Sequence, residues 1–125
     1  MTTNRKYTPS HEWIEMSGSQ GTVGITNYAK GEFGDIVYIQ LPLIGKKVLS
    51  GEEVVVLEST KAAADIYSPV SGEIVEVNAS LQNDLSLLNQ DPEGKGWLFK
   101  MTLSQESEKE SLLLNVSEYK EMISR

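Results

Sequence analysis

Residues 58–78, ESTKAAADIYSPVSGEIVEVN, decide how this chain folds. They read as strand, tight turn carrying a lysine, strand, second turn, strand. Val54, Val55, Val56 and Leu57 lead in, and Glu58-Ser59-Thr60-Lys61-Ala62 form a polar tip with small residues. Ile66 and Tyr67 start the outgoing strand. Pro69-Val70-Ser71-Gly72 turn the chain into Glu73-Ile74-Val75-Glu76-Val77, where alternate positions are apolar. Short hairpin loops take compact, turn-forming residues. A lysine in such a loop projects its amine outward instead of laying its stem along the sheet. On its own that is the ordinary behaviour of a surface lysine.

An internal echo extends the reading on both sides. Pro42-x-x-Gly45-x-x-Val48 recurs as Pro69-x-x-Gly72-x-x-Val75, each a Pro-to-Gly turn that feeds a strand. Two such units are expected to pack face to face, each covering the other's apolar side, with the Lys61 turn as the crossover between them. Upstream, Ile36-Val37-Tyr38-Ile39-Gln40-Leu41 is rich in β-branched and aromatic residues and reads as a strand. Tyr7 to Ile14 reads as a strand interrupted at Pro9-Ser10, Met16 to Gly21 as a polar loop, and Gly21 to Ile25 as a short strand. Thr26 can cap a short helix over residues 27–33 that ends at Gly34-Asp35.

Downstream, Asn78 to Asp84 reads as a loop or irregular helical turn, followed by the apolar Leu85, Leu87 and Leu88. Asn89 to Gly96 form a Pro/Gly loop, and Trp97 to Leu103 a closing strand. The tail changes period. Ser107 with Glu110 makes a capping-box pattern. A last helix is expected over Ser117 to Ser124, with Val116, Tyr119, Met122 and Ile123 toward the body. The expected architecture is all-β with small helical additions: two antiparallel sheets in a flattened barrel-sandwich hybrid, one domain over residues 1–125, with a helical segment at about 105–125.

The bulk numbers narrow the chemistry. The 125 residues carry 11 Lys and Arg against 18 Asp and Glu, a net charge of −7 that disfavours nucleic acid or an anionic membrane as partner. No apolar run approaches the roughly 18 residues of a membrane span, and the N-terminus lacks the apolar segment of a signal peptide. A cytoplasmic location is expected. With no cysteine there is no disulfide, thiolate metal site or cysteine nucleophile. The single histidine, His11, has no partner ligands in the sequence and reads as a hydrogen-bonded structural residue beside Trp13. Gly21-x-x-Gly24 lacks the spacing and lysine of a phosphate loop. Glu58, Asp65, Glu73 and Glu76 read as surface groups, so by default this is an acidic β-rich domain that binds something.

Several separated motifs, in order, resemble the H protein family of the glycine cleavage system. They are Tyr7-Thr8-x-x-His11-Glu12-Trp13, Gly24-Ile25-Thr26-x-Tyr28-Ala29, Gly34-Asp35-Ile36-Val37 and Leu41-Pro42-x-x-Gly45. They continue through Glu58-Ser59-x-Lys61-Ala62, Asp65-Ile66-Tyr67-Ser68-Pro69-Val70-Ser71-Gly72, Asn78, Leu88-Asn89, Asp91-Pro92 and Gly94-x-Gly96-Trp97. The resemblance implies that Lys61, at the hairpin tip, is the attachment point of lipoate. Thr60 and Ala62, where biotin carriers place methionines, argue against biotin. A primary amine is what an amide bond to lipoate requires, and its formation removes the lysine charge.

By the same resemblance the chain is a carrier and not an enzyme. Lysine plus lipoyl chain makes a tether of roughly 14 Å from standard bond lengths, and the dithiolane visits successive sites at high effective concentration. The implied partners are the glycine decarboxylase (P protein), the aminomethyltransferase (T protein), the dihydrolipoamide dehydrogenase (L protein) and lipoate-attaching enzymes, with the carrier itself a monomer. A surface cleft for the methylamine-loaded arm is expected to offer acceptors, with Ser10, Glu12 and Asp65 as candidates. Three positions depart from the family pattern: Leu85 for a proline, Glu93 for an aromatic, and Thr60 for a valine. They keep open an H-like lipoyl relay or donor in lipoate metabolism. An unmodified β-sandwich interaction module is the alternative from another class.

Overall fold

The computed structural model describes residues 5–104 and 113–124. Nine strands form two antiparallel sheets among the described residues. The strands are β1 (Arg5–Tyr7), β2 (Glu12–Ser17), β3 (Gln20–Ile25), β4 (Ile36–Gln40), β5 (Lys47–Val48), β6 (Glu53–Ser59), β7 (Ala63–Tyr67), β8 (Gly72–Val77) and β9 (Phe99–Leu103). One sheet has the order β1-β2-β3-β9-β8-β5 and the other β4-β6-β7. Short helices are α1 (Asn27–Phe33), α2 (Ser80–Asn83), α3 (Ser86–Gln90) and α4 (Val116–Ile123). No described helix is long and apolar enough to cross a membrane. The all-β reading with two antiparallel sheets and small helical additions holds, and neither sheet closes into a barrel.

The core lies between the sheets. Ile36, Ile39, Val55, Leu57 and Ile66 come from the three-stranded sheet, and Ile14, Val23, Ile74, Phe99 and Met101 from the six-stranded one. Strands with both faces covered lose the in–out alternation of a half-exposed strand. That is why Glu12, Trp13 and Ile14 are buried in succession. Ile14 faces the core. Trp13 belongs to a second cluster, with Tyr7 and Tyr119 of α4.

The repeated Pro-to-Gly unit has a topological meaning. Each copy carries the chain from the three-stranded sheet to the six-stranded one, from β4 to β5 and from β7 to β8. The copies do not pack face to face as expected. They lie edge to edge as antiparallel neighbours, Lys47 opposite Glu73 and Val48 opposite Gly72. Gly45 N–H donates to the Ile74 carbonyl at 2.7 Å and Ile74 N–H to that of Lys46 at 2.8 Å. Backbone pairing joins the copies where side-chain packing was anticipated.

The expected loop over Met16 to Gly21 is instead a tight hairpin. Met16 pairs with Gly21 and Ser17 with Gln20, leaving only Gly18 and Ser19 in the turn. Gly18 at φ 61° supplies the left-handed first central position that such a turn demands.

The cap of α1 is as read: Thr26 Oγ1 accepts from Ala29 N–H at 3.1 Å. The region after Val77 is more helical than expected, holding α2 and α3. The Ser107–Glu110 pattern lies outside the described residues. A capping box of the same kind starts α4, where Asn115 Oδ1 accepts from Glu118 N–H at 2.8 Å and Glu118 Oε1 from Asn115 N–H at 2.9 Å. Tyr119, Met122 and Ile123 meet the body. Val116, expected to join them, stands outside that cluster and is 45 % exposed.

Candidate functional site

Lys61 occupies the tip of the β6–β7 hairpin. Glu58 pairs with Ala63, and Ser59 N–H donates to the Ala62 carbonyl at 2.8 Å. Neither Thr60 nor Lys61 has a positive φ, so the turn does without the left-handed residues of the commonest two-residue hairpins. The Ser59 hydroxyl compensates. Its oxygen accepts from Lys61 N–H and from Ala62 N–H, each at 3.1 Å. A serine side chain bonded to nearby backbone in this way builds a turn without glycine.

The turn is braced from α1. Thr60 N–H donates to the Asp35 carbonyl at 3.2 Å. Lys61 is exposed, but its stem leans across the end of α1, where a Cβ on Gly34 would lie 3.7 Å from Lys61 Cε. Asn89 fixes the next residue, accepting from Ile36 N–H at 2.8 Å and donating to its carbonyl at 3.1 Å.

The second half of the site lies at the other end of α1. Thr8, Ser10 and Glu12 close a small loop in which His11 takes a left-handed backbone, φ 74°. Thr8 and Ser10 hydroxyls both donate to Glu12 Oε1 at 2.6 Å. Among the described residues Oε2 receives a single long contact, from Tyr67 N–H at 3.5 Å. Glu12 as a whole is 2 % exposed. It borders a cleft of about 320 Å³ lined by Thr8, Ser10, Ser50, Gly51, Tyr67 and Pro69 among others. The floor is pinned by Gly51 N–H to the Ser68 carbonyl at 2.8 Å and Ser68 N–H to the Glu52 carbonyl at 2.9 Å.

Burial pushes the Glu12 carboxyl above its usual range, and the bonds from Ser10, Thr8 and Tyr67 pull it partly back. A carboxyl raised on folding stabilises the native state fully below its unfolded value, about 4.5, and that contribution is lost as pH rises through the raised native value. Above that raised value the ionised Glu12 is therefore a cost to folding. Glu12→Gln keeps an acceptor for both hydroxyls, and we expect it to raise the melting midpoint by a few degrees, about 1 kcal/mol being worth roughly 4 °C at this size. The gain is greatest above the raised native value and vanishes as pH falls to the unfolded one, as a melting series across pH would show.

Of the three candidate cleft residues, Ser10 and Glu12 are brought together and Asp65 is not. Asp65 is exposed on β7 opposite Val56 and borders a different depression, with Gln40, Leu41 and Glu53. Thr8 and Tyr67 are the participants that sequence reasoning missed. Thr8 was signalled: Thr8-x-Ser10-x-Glu12 puts two hydroxyls and a carboxyl on alternate positions, which share one side of an extended chain. Tyr67 joins through its backbone and carries no such signal. His11 is structural, as read, but its partners are Tyr119, at 2.7 Å, and the ring of Tyr28, at 4.8 Å between centroids. Among the described residues no cluster of His, Asp and Glu has the makings of a metal site.

Two of the departures from the family pattern are built into this frame. Glu93 accepts from Asn27 N–H at 2.7 Å, at the first position of α1, and pairs with Arg5 at 3.6 Å. Leu85 is a half-buried residue packed against the core, with φ −70°, a value that proline also adopts.

Comparison with known proteins agrees along the whole chain. A family model described as glycine cleavage H-protein matches residues 5–125. The glycine cleavage system H protein of Thermotoga maritima is 54% identical over 109 residues, 87% of this chain and 88% of that one. That of Xanthobacter autotrophicus is 46% identical over 121 residues, 97% of this chain and 96% of that one. The crystal structure of a glycine cleavage system H protein from Mycobacterium marinum superposes with a TM-score of 0.84 at 35% identity, covering 100% of both chains. With a lysine-tipped hairpin on this two-sheet body and these relatives, the chain belongs to the glycine cleavage H-protein family.

Proposed function

We propose that this protein is the lipoyl carrier of glycine cleavage, with lipoate in amide linkage to Lys61. It receives the aminomethyl group from a pyridoxal-phosphate glycine decarboxylase and presents it to a tetrahydrofolate-dependent aminomethyltransferase. The resulting dithiol is reoxidised by dihydrolipoamide dehydrogenase. The protein supplies position and shelter, and the lipoyl group supplies thiol chemistry.

The observation that carries this reading is a match of lengths. Two elements independently bridge the Lys61 turn and the Glu12 loop. Helix α1 starts against His11, whose carbonyl accepts from Thr26 N–H at 3.0 Å, and it ends beneath the Lys61 stem at Gly34. Its seven residues span about 10 Å. Strand β7 leaves the turn at Ala63 and ends at Tyr67, whose N–H faces Glu12. It spans about 13 Å at the usual strand rise. A tether of roughly 14 Å from Lys61 therefore has the reach to bring its head group to the cleft.

An aminomethyl adduct is a cationic amine at neutral pH, and Glu12 Oε2, the less occupied oxygen, is the acceptor on offer. We expect the adduct on Glu12→Gln to decay roughly ten times faster, in proportion to one lost charge-assisted hydrogen bond. Protection is full above the raised Glu12 titration point and is lost as pH falls through it. Asp65 borders a different depression, and Asp65→Asn should have the smaller effect.

The deciding assay is reconstitution. Lipoylated protein with glycine decarboxylase and glycine should exchange labelled carbon dioxide at a rate that saturates with the carrier. A lipoylated sample that supports no exchange overturns glycine cleavage in favour of a lipoate relay. A sample that cannot be lipoylated overturns both.

A further inference from the structure

We infer that Tyr119, on the C-terminal helix and 108 positions from its partner His11, is a positioning residue for the cleft acceptor, holding the loop that aims the Glu12 carboxyl. This deepens the carrier reading above and rests on it. The phenol oxygen of Tyr119 lies 2.7 Å from His11 Nδ1 and 2.7 Å from Thr26 Oγ1. Thr26 Oγ1 already accepts from Ala29 N–H, so its proton is directed at Tyr119. With His11 neutral, the chain Thr26 O–H to Tyr119 O–H to His11 Nδ1 satisfies every group. Burial favours that neutral form of His11, and Glu32 opposes it. The same phenol thus ties the strained loop residue to the cap of α1, the helix that reaches from the Glu12 loop to the Lys61 turn.

The strain gives this contact its consequence. His11 is the only non-glycine residue with positive φ among the described residues. A side-chain-bearing residue in that region persists only when its surroundings impose it. The constraints include His11 N–H to the Thr8 carbonyl at 3.0 Å, Thr8 N–H to the Glu12 carbonyl at 2.9 Å, Thr26 N–H to the His11 carbonyl at 3.0 Å, the Tyr28 ring at 4.8 Å and the ring bond to Tyr119. The first three are backbone bonds of the loop and of its neighbour, and Tyr28 belongs to α1. Tyr119 alone reaches in from α4, and its ring is set by stacking on Tyr7 at 4.8 Å and 11°. Once His11 relaxes toward negative φ, Ser10 and Glu12 no longer converge. The two short bonds to Oε1 go with them, and the carboxyl becomes free to turn toward water.

Tyr119→Phe keeps the stacked ring and removes only the hydroxyl. Met122→Ala trims a side chain packed on the cluster of Tyr7, Trp13 and Tyr119 and leaves the Tyr119 hydroxyl in place. Two readouts are compared in both variants: the Glu12 carboxyl titration by carbon NMR on unmodified protein, and decay of the aminomethyl adduct on lipoylated protein. In Tyr119→Phe the Glu12 titration should move down toward its ordinary value and the adduct should decay roughly three to ten times faster, the factor of one lost hydrogen bond. In Met122→Ala both should stay at wild type while the melting midpoint falls. The Tyr119→Phe effect on decay should also vanish in a Glu12→Gln background, because the two changes act through one carboxyl.

An unmoved Glu12 titration in Tyr119→Phe overturns the inference, as does an equal shift in Met122→Ala. If Glu12→Gln itself leaves decay unchanged, the cleft reading fails at Glu12 and takes this inference with it. If Glu12→Gln accelerates decay and Tyr119→Phe does not, only the inference fails.

Discussion

Lys61→Arg should give a folded protein that takes up no lipoate at all. Arginine keeps the charge and most of the stem, and the turn is built from backbone and Ser59, not from the lysine head. What it lacks is a nucleophile. A primary amine is a nucleophile toward an activated acyl group, whereas a guanidinium stays protonated at every accessible pH and spreads its charge over three nitrogens. Incubation with lipoate and an attaching enzyme, followed by intact mass, reads the result directly. Wild type gains one lipoyl group and Lys61→Arg gains none, with carbon-dioxide exchange falling to background. The lysines of the other Pro-to-Gly unit offer no second tip. Lys46 pairs with Glu52 at 3.5 Å, and Lys47 lies within a strand beside Glu73; neither sits on a hairpin tip. Added mass on Lys61→Arg would move the attachment point elsewhere. No mass on wild type would return the chain to an unmodified interaction module.

How much of this was legible depended on the range of the interaction. The Lys61 hairpin, the Thr26 cap and the strand over residues 36–40 are written in local chemistry: β-branched runs, turn residues and one hydroxyl before a helix. Sheet order is not. That β9 lies between β3 and β8 follows from pairings such as Thr22 with Lys100 and Ile74 with Met101, and alternation along a strand tells which face a residue takes but not which strand stands beside it. The site divides in the same way. Ser10 and Glu12 are two residues apart and met as expected. Asp65 looks in sequence like an equal of Glu12, yet one is exposed on an edge strand and the other almost fully buried, a difference made by elements remote in the chain. Tyr119 could be assigned to the buried face of a helix from its spacing. That its hydroxyl would end on His11 required the fold.

The repeated unit shows the same limit and supplies the sharpest test of packing. Gly45 and Gly72 hold equivalent places in the two copies, so the sequence treats them alike, and the structure does not. Gly45 stands at φ 95° with nothing within 4 Å of an added Cβ. Its need is conformational, and alanine there costs about 1 kcal/mol of left-handed strain. Gly72 has no positive φ. Its need is space, since an added Cβ would lie 2.2 Å from the Thr102 carbonyl oxygen and 2.9 Å from Met101 Cε. The methionine tip can swing aside. The carbonyl cannot without parting β8 from β9, which pair from Gly72–Leu103 to Val77–Phe99 and join β8 and β5 to the rest of the larger sheet. Gly72→Ala should therefore cost about 3 kcal/mol, at the upper end for overpacking, and lower the melting midpoint by roughly 10 °C. Urea unfolding of the two alanine variants side by side reads the contrast. Equal losses at positions 45 and 72 would mean that β8 gives way without parting from β9, and that the two copies are alike in energy as well as in sequence.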